Sequence, residues 1–127
     1  MADAVPARLG ALRLPVVHFH KTIRITVKRM EARRRAEARR ERRQLYASLP
    51  GGVSRETLEA IAACESGGDP TIVSSDGAYR GKYQFSFGTW ESVGGSGDPA
   101  AASEREQDYR AALLYAASGS SPWPICG

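Results

Sequence analysis

Glu65 directly follows Cys64 in the string Ala63-Cys64-Glu65-Ser66-Gly67-Gly68-Asp69, at the end of a short amphipathic run. A carboxyl group in the last turn of a helix faces the negative end of the macrodipole, so its protonated form is favoured, more so where aromatic side chains desolvate it. These are the conditions of a general acid working near neutral pH. Tyr79, Tyr83, Trp90 and Trp123 offer flat faces for stacking on pyranose rings, while Gln84, Ser86 and Thr89 offer hydrogen bonds to hydroxyl and acetamido groups. Trp90 equally fits the centre of a small hydrophobic cluster.

Retaining and inverting glycosidases need two carboxylates, about 5 Å or about 6.5 to 9.5 Å apart. The nearest companions in sequence are Asp69 and Asp76, but the helix end accounts for the first and an Asp-Gly turn for the second. One acid suffices where the substrate itself supplies the nucleophile. The chain has two cysteines, one ending a helix and one penultimate in the chain. Their placement favours a bridge, worth about 4 kcal/mol for so long a loop; the alternative is a pair of buried thiols. His18 and His20 fall in the N-terminal lead and no CxxC occurs, so neither a metal site nor a cofactor is expected.

The elements that must carry these residues follow from punctuation and period. Residues 1–20 mix Pro, Gly, Ala and Arg without a period and read as a flexible lead. Ile23, Ile25 and Val27 alternate briefly like a strand, but residues 21–50 read as a basic, Arg-rich helical extension or linker, in which the run from about Lys28 to Leu49 is dominated by helix-forming Arg, Ala and Glu and has no continuous apolar stripe. Pro50-Gly51-Gly52 opens the compact domain, residues 51–127. Ser54 caps a helix over about 55–66 that carries Leu58, Ile61 and Ala62 on its inner face, and Gly67-Gly68 ends it. Thr71–Phe85, with Ser75-Asp76-Gly77 in the middle, predicts a small β-hairpin in which Gly81 marks a close backbone approach. A short helix over 87–93 carries Trp90. Ser103 and Glu106 form a capping box for a helix with Tyr109, Ala112, Leu113 and Ala116 inward, and the tail 120–127 should be extended through Pro122-Trp123-Pro124.

Charge divides the chain. Residues 1–50 carry 13 Lys and Arg against 4 Asp and Glu, net +9; residues 51–127 carry 5 against 10, net −5. A basic arm of this kind meets an anionic wall polymer or membrane surface; nucleic acid is not expected, because no aromatic residues interleave with the arginines. No apolar run reaches the roughly 18 residues of a membrane span, and Val5–Phe19 is broken by Pro6, Arg8, Arg13 and Pro15, so no convincing signal peptide is visible.

The ordered set CESGGD, DGAYRGKYQFSFGTW and the PWPICG ending resembles the resuscitation-promoting factor domain, a lysozyme-like transglycosylase module that acts on peptidoglycan. The likeness spans about residues 52–127. It implies an α+β, mainly helical lysozyme-like domain with a short hairpin and one disulfide, Cys64–Cys126. It also implies Glu65 as catalytic acid and a groove drawn from Tyr79, Gly81, Gln84, Ser86, Trp90 and Trp123. Pro70 stands where the family commonly has an aromatic residue, and Lys82 with Tyr83 replace a small and an aliphatic one, departures expected to bear on groove shape. The implied partner is the peptidoglycan glycan strand, the location extracellular at the cell wall, and the state monomeric. The implied reaction is anhydro-ring formation by Glu65 acting alone; a binding module without activity and a lysozyme-type hydrolase are the alternatives.

Overall fold

The computed structural model describes residues 16–127, with side chains from Phe19 onward, and the expected lead over residues 1–15 lies outside the described residues. The order is α1 (Val16–Leu45), a 3-10 turn (Pro50–Gly52), α2 (Arg55–Ser66), α3 (Phe87–Ser92), a second 3-10 turn (Pro99–Ala101) and α4 (Glu104–Ser118). Helix α1 begins inside the segment expected to be a flexible lead and runs through Ile23, Ile25 and Val27, whose brief alternation makes no strand. The chain divides into two compact units, Met1–Glu41 and Arg42–Gly127. Residues 42–50 belong with the second, where Tyr46 packs on Tyr109 with ring centroids 5.1 Å apart and Leu49 rests against the core.

Within that second unit the caps follow the sequence. Ser54 accepts from the Thr57 N–H at 3.1 Å, and Ser103 from the Glu106 N–H at 3.2 Å. The Glu106 carboxylate does not complete a capping box; it accepts from Tyr46 Oη at 3.2 Å and from Arg110 at 3.4 Å. The 3-10 turn Pro50–Gly52 lies against α4 so closely that a Cβ on Gly51, itself at φ +75°, would collide with the Ala116 Cβ. The core comprises Leu58, Ile61 and Ala62 of α2, Tyr83, Phe85 and Trp90, Ala111, Ala112 and Leu114 of α4, and Trp123 of the tail.

Two expected elements differ. The hairpin is reduced to isolated antiparallel bridges, Val73 with Arg80 and Arg80 with Phe85. Gly81 at φ +84° and Gln84 at φ +53° turn the chain out of the extended region, so no ladder can propagate. The tail is not extended either: Trp123 N–H donates to Ser120 O and Gly127 N–H to Trp123 O, making two successive turns.

The inner face of α4 also differs by a rotation. Gln107, Asp108, Ala111, Ala112 and Leu114 are buried, while Leu113 is only half-buried and Ala116 is exposed. The polar pair explains this. Lys82 is only 2% exposed, and its Nζ donates to Asp108 at 2.9 Å, Glu59 at 3.0 Å and Glu104 at 3.1 Å. Burial alone would depress this ammonium, but the hydrogen bonds from it to Asp108, Glu59 and Glu104 outweigh burial and hold it above the usual lysine range. Tyr83 Oη donates to the same Asp108 oxygen at 2.5 Å, and burial followed by that bond pushes the phenol up. Gln107 completes the set: its Oε1 accepts from Lys82 N–H at 2.7 Å, and its Nε2 donates to Pro70 O and Ala102 O.

Removing one partner of a buried ion cluster leaves uncompensated charge, so Lys82→Met should cost about 3 kcal/mol in urea unfolding. A loss below about 1 kcal/mol would mean that the cluster contributes little beyond what an exposed ion pair does. Reducing Cys64–Cys126 should cost about 4 kcal/mol in the same measurement.

Candidate active site

The disulfide between Cys64 and Cys126 spans 62 residues, with Cα atoms 5.6 Å apart. It attaches the last turn of α2 to the end of the tail. The same turn is held a second way: buried Ser66 donates through Oγ to Lys82 O at 2.6 Å, while its Oγ accepts from Gly68 N–H at 3.1 Å. Gly67 N–H bonds back to Ala63 O and Gly68 N–H to Ala62 O, which satisfies the helix end. Glu65 sits between these two attachments, Cys64 and Ser66.

A cleft of about 310 Å³ opens beside it, lined by Glu65, Tyr79, Gln84 and the tail from Pro122 to Cys126. A smaller hollow of about 110 Å³ shares Tyr79, Gln84, Pro122 and Trp123 with the first and continues to Ser86 and Thr89. The two form one groove. Glu65 is half-buried and, among the described residues, is the only carboxyl group lining either hollow. Burial pushes its carboxyl above the ordinary value of 4.5.

The other two carboxylates considered are committed elsewhere. Asp69 accepts from Thr71 N–H at 2.8 Å and Thr71 Oγ1 at 2.7 Å; these bonds, side chain first, hold it below the usual range. Asp76 accepts from Ser74 Oγ at 2.6 Å and Ala78 N–H at 3.0 Å, with the same effect. Neither lines the groove.

The expected groove residues separate into three kinds. Tyr79, Gln84 and Trp123 line both hollows, and Ser86 lines the smaller one. Tyr79 is 52% exposed and presents an open ring, whereas Trp123 is nearly buried, its Nε1 donating to Tyr83 O at 3.1 Å and its ring stacked near Tyr115. Gln84 holds its left-handed backbone with Nε2 bonds to Gly81 O at 2.9 Å and Ile72 O at 3.3 Å. Ser86 Oγ is the N-cap of α3, accepting from Thr89 N–H at 3.2 Å.

Gly81 and Trp90 are not in the groove. A Cβ on Gly81 would strike Gln107 Oε1, so its close approach is to the buried glutamine, not to a ligand. Trp90 has no exposed surface; it meets Phe85 edge-on at 5.1 Å and donates to Ser96 O at 3.3 Å. Lys82 and Tyr83, the departures expected to reshape the groove, are both buried, and Tyr83 contributes only a face to the smaller hollow. Ile125, not anticipated as a groove residue, is 91% exposed at the larger hollow. Its signal was its place beside Cys126, since the bridge carries residues 122–126 to the acid.

The unit is a small, mostly helical, disulfide-bonded domain with one half-buried acid in an aromatic-walled groove. A model of the transglycosylase-like domain matches residues 52–126, and the chain belongs to that family. Resuscitation-promoting factor RpfE of Mycobacterium tuberculosis is 45% identical over 69 residues, covering 54% of this chain and 40% of that protein. Resuscitation-promoting factor Rpf of Micrococcus luteus is 41% identical over 71 residues, 56% of this chain and 31% of that one. Probable transglycosylase SceD 3 of Staphylococcus saprophyticus is 44% identical over 70 residues, 52% and 29% respectively. The chain therefore spans less than half the length of these relatives.

Tyr79→Ala should leave the melting temperature nearly unchanged and weaken binding of chitooligosaccharides, measured by calorimetry, by about tenfold, the loss of one stacked aromatic face. Trp90→Ala should instead destabilise the domain by about 3 to 5 kcal/mol, as removal of a buried indole does. The reverse pattern would exchange their roles.

Proposed function

We propose that this protein cleaves the bond between N-acetylmuramic acid and N-acetylglucosamine in peptidoglycan, as a lytic transglycosylase with Glu65 as its one general acid and base. The observation that carries the reading is the solitary carboxyl group in the groove, raised by burial and flanked by an exposed Tyr79. The relatives' names, transglycosylase and resuscitation-promoting factor, point the same way. A lysozyme-like architecture is part of this reading, and so is a monomeric enzyme working outside the cell at the wall.

The chemistry needs one residue used twice. Protonated Glu65 donates to the glycosidic oxygen, which leaves as the N-acetylglucosamine 4-hydroxyl while an oxocarbenium-like centre develops at muramoyl C1. The resulting carboxylate takes the proton of the muramoyl 6-hydroxyl, whose oxygen bonds to C1 and closes the 1,6-anhydro ring. Glu65 ends protonated, as it began, and no water is consumed. Tyr79 stacks on a pyranose ring, and the Gln84 carbonyl and Ser86 hydroxyl take up sugar polar groups.

Because burial favours the neutral acid, the alkaline limb of kcat/KM should lie above 4.5, the ordinary value for the group. The folded protein binds the Glu65 proton more tightly than the unfolded chain does. Stability from this group is thus fully present below the unfolded value and declines as pH rises through the folded one. Glu65→Gln should accordingly raise Tm at neutral pH, with the gain vanishing near pH 4, and abolish cleavage. Digests of purified peptidoglycan by residues 42–127 within the full chain should contain anhydromuropeptides by mass spectrometry. Reducing ends would assign hydrolysis instead, and no product from wild type would leave a glycan-binding module.

A further inference from the structure

Helix α1 carries a feature that the cleavage reading does not use. At about 100° per residue, Phe19, Ile23, Val27 and Met30 fall within about 80° of arc, a stripe about 17 Å long. All four are exposed. Lys21, Arg24, Lys28 and Arg35 occupy the opposite arc. Beyond Met30 the apolar arc is taken over by Arg34, Glu37 and Glu41, so the stripe is confined to the first half of the helix. The extension beginning at Val16 is what brings Phe19 and Ile23 onto the same face as Val27 and Met30.

We infer that this face of α1 docks on an anionic lipid surface, lying in the interface with the stripe in the acyl boundary and the cations among the headgroups. The helix carries eleven Lys and Arg against three Glu, which complements an anionic sheet and repels a second copy of itself. Four apolar residues over three turns are also too few for a coiled-coil seam, which needs three or more heptads. No helix among the described residues is long and apolar enough to cross a membrane. A polyanionic wall polymer would engage the charges but leave Phe19, Ile23, Val27 and Met30 in water.

The test uses the full chain and sedimentation with vesicles of phosphatidylcholine, with and without phosphatidylglycerol. Wild type should bind only the anionic vesicles. Ile23→Ser combined with Val27→Ser keeps the charge and should weaken binding by about tenfold or more. Ile25→Ser, the loss of one apolar side chain at an exposed position outside the stripe, should change it by less than about twofold, whereas Ile23→Ser alone, an equal loss on the stripe, should weaken it by about threefold or more. Equal binding by the stripe variant and wild type would overturn the inference by reducing the attraction to charge alone. So would absence of vesicle binding with retention on a soluble wall polyanion. Cleavage of soluble glycan fragments by the same variants should be unchanged, so failure here and failure of the cleavage reading are separately visible.

Discussion

The Lys82 ammonium is the point on which the domain closes. It enters the core with almost no exposure and finds carboxylates from two helices, Glu59 of α2 and Glu104 and Asp108 of α4. An unpaired buried cation would cost several kcal/mol, so the three acids are a requirement of the fold and not an ornament of it. Satisfying them fixes where the chain crosses between the helices. The backbone at the crossing is then bound on both sides: Lys82 N–H to Gln107, Lys82 O to Ser66, and Tyr83 O to Trp123 Nε1. One short segment thereby positions α2, α4 and the tail at once.

That crossing positions the groove without any long β-structure. Gly81 and Gln84 take left-handed conformations on either side of it, which turns Lys82 and Tyr83 inward and leaves Gln84 facing the groove. A left-handed glutamine costs on the order of 1 kcal/mol, offset here by its two side-chain bonds to backbone carbonyls. On the other wall, the tail is held by Cys126 and by the buried Trp123 ring. Arg80, just before the crossing, makes paired bonds to Asp98 at 2.6 and 2.7 Å.

Local signals in the sequence were read well where one element decided them. Ser54 and Ser103 cap their helices, Leu58, Ile61 and Ala62 face inward, and the cysteines are bridged. Legibility failed where polar residues face the core. A period search looks for apolar side chains, so it placed Leu113 and Ala116 inward on α4 and passed over Gln107 and Asp108, whose burial makes sense only once Lys82 is opposite them. At Tyr83 and Trp90 the sequence left packing and stacking both open, because an aromatic ring reads alike whether it packs or stacks on a ligand. The alternation of Tyr79, Tyr83 and Phe85 suggested strands, but two positive φ angles, unmarked in the sequence at Gln84, broke the period. Two prolines around Trp123 argued for an extended tail, yet backbone bonds at Ser120 and Trp123 accommodate both in turns.

A lone acid that must first give and then take a proton needs to reach two oxygens of one substrate in succession. It therefore gains from being fixed at the backbone while its carboxyl end stays free. Glu65 has this arrangement: its neighbours on both sides are anchored, one covalently through Cys64 and one through the Ser66 bond to Lys82 O, whereas the carboxyl itself is only half-buried. A second carboxylate across the groove would attract a cation or repel Glu65, and either would tie the value of its proton affinity to another group. Without one, the proton affinity follows from burial alone and is set by how closely the groove is covered. Under the proposed reading, a glycan seated against Tyr79 and Trp123 would supply that cover and raise the Glu65 proton affinity further at the moment an acid is required.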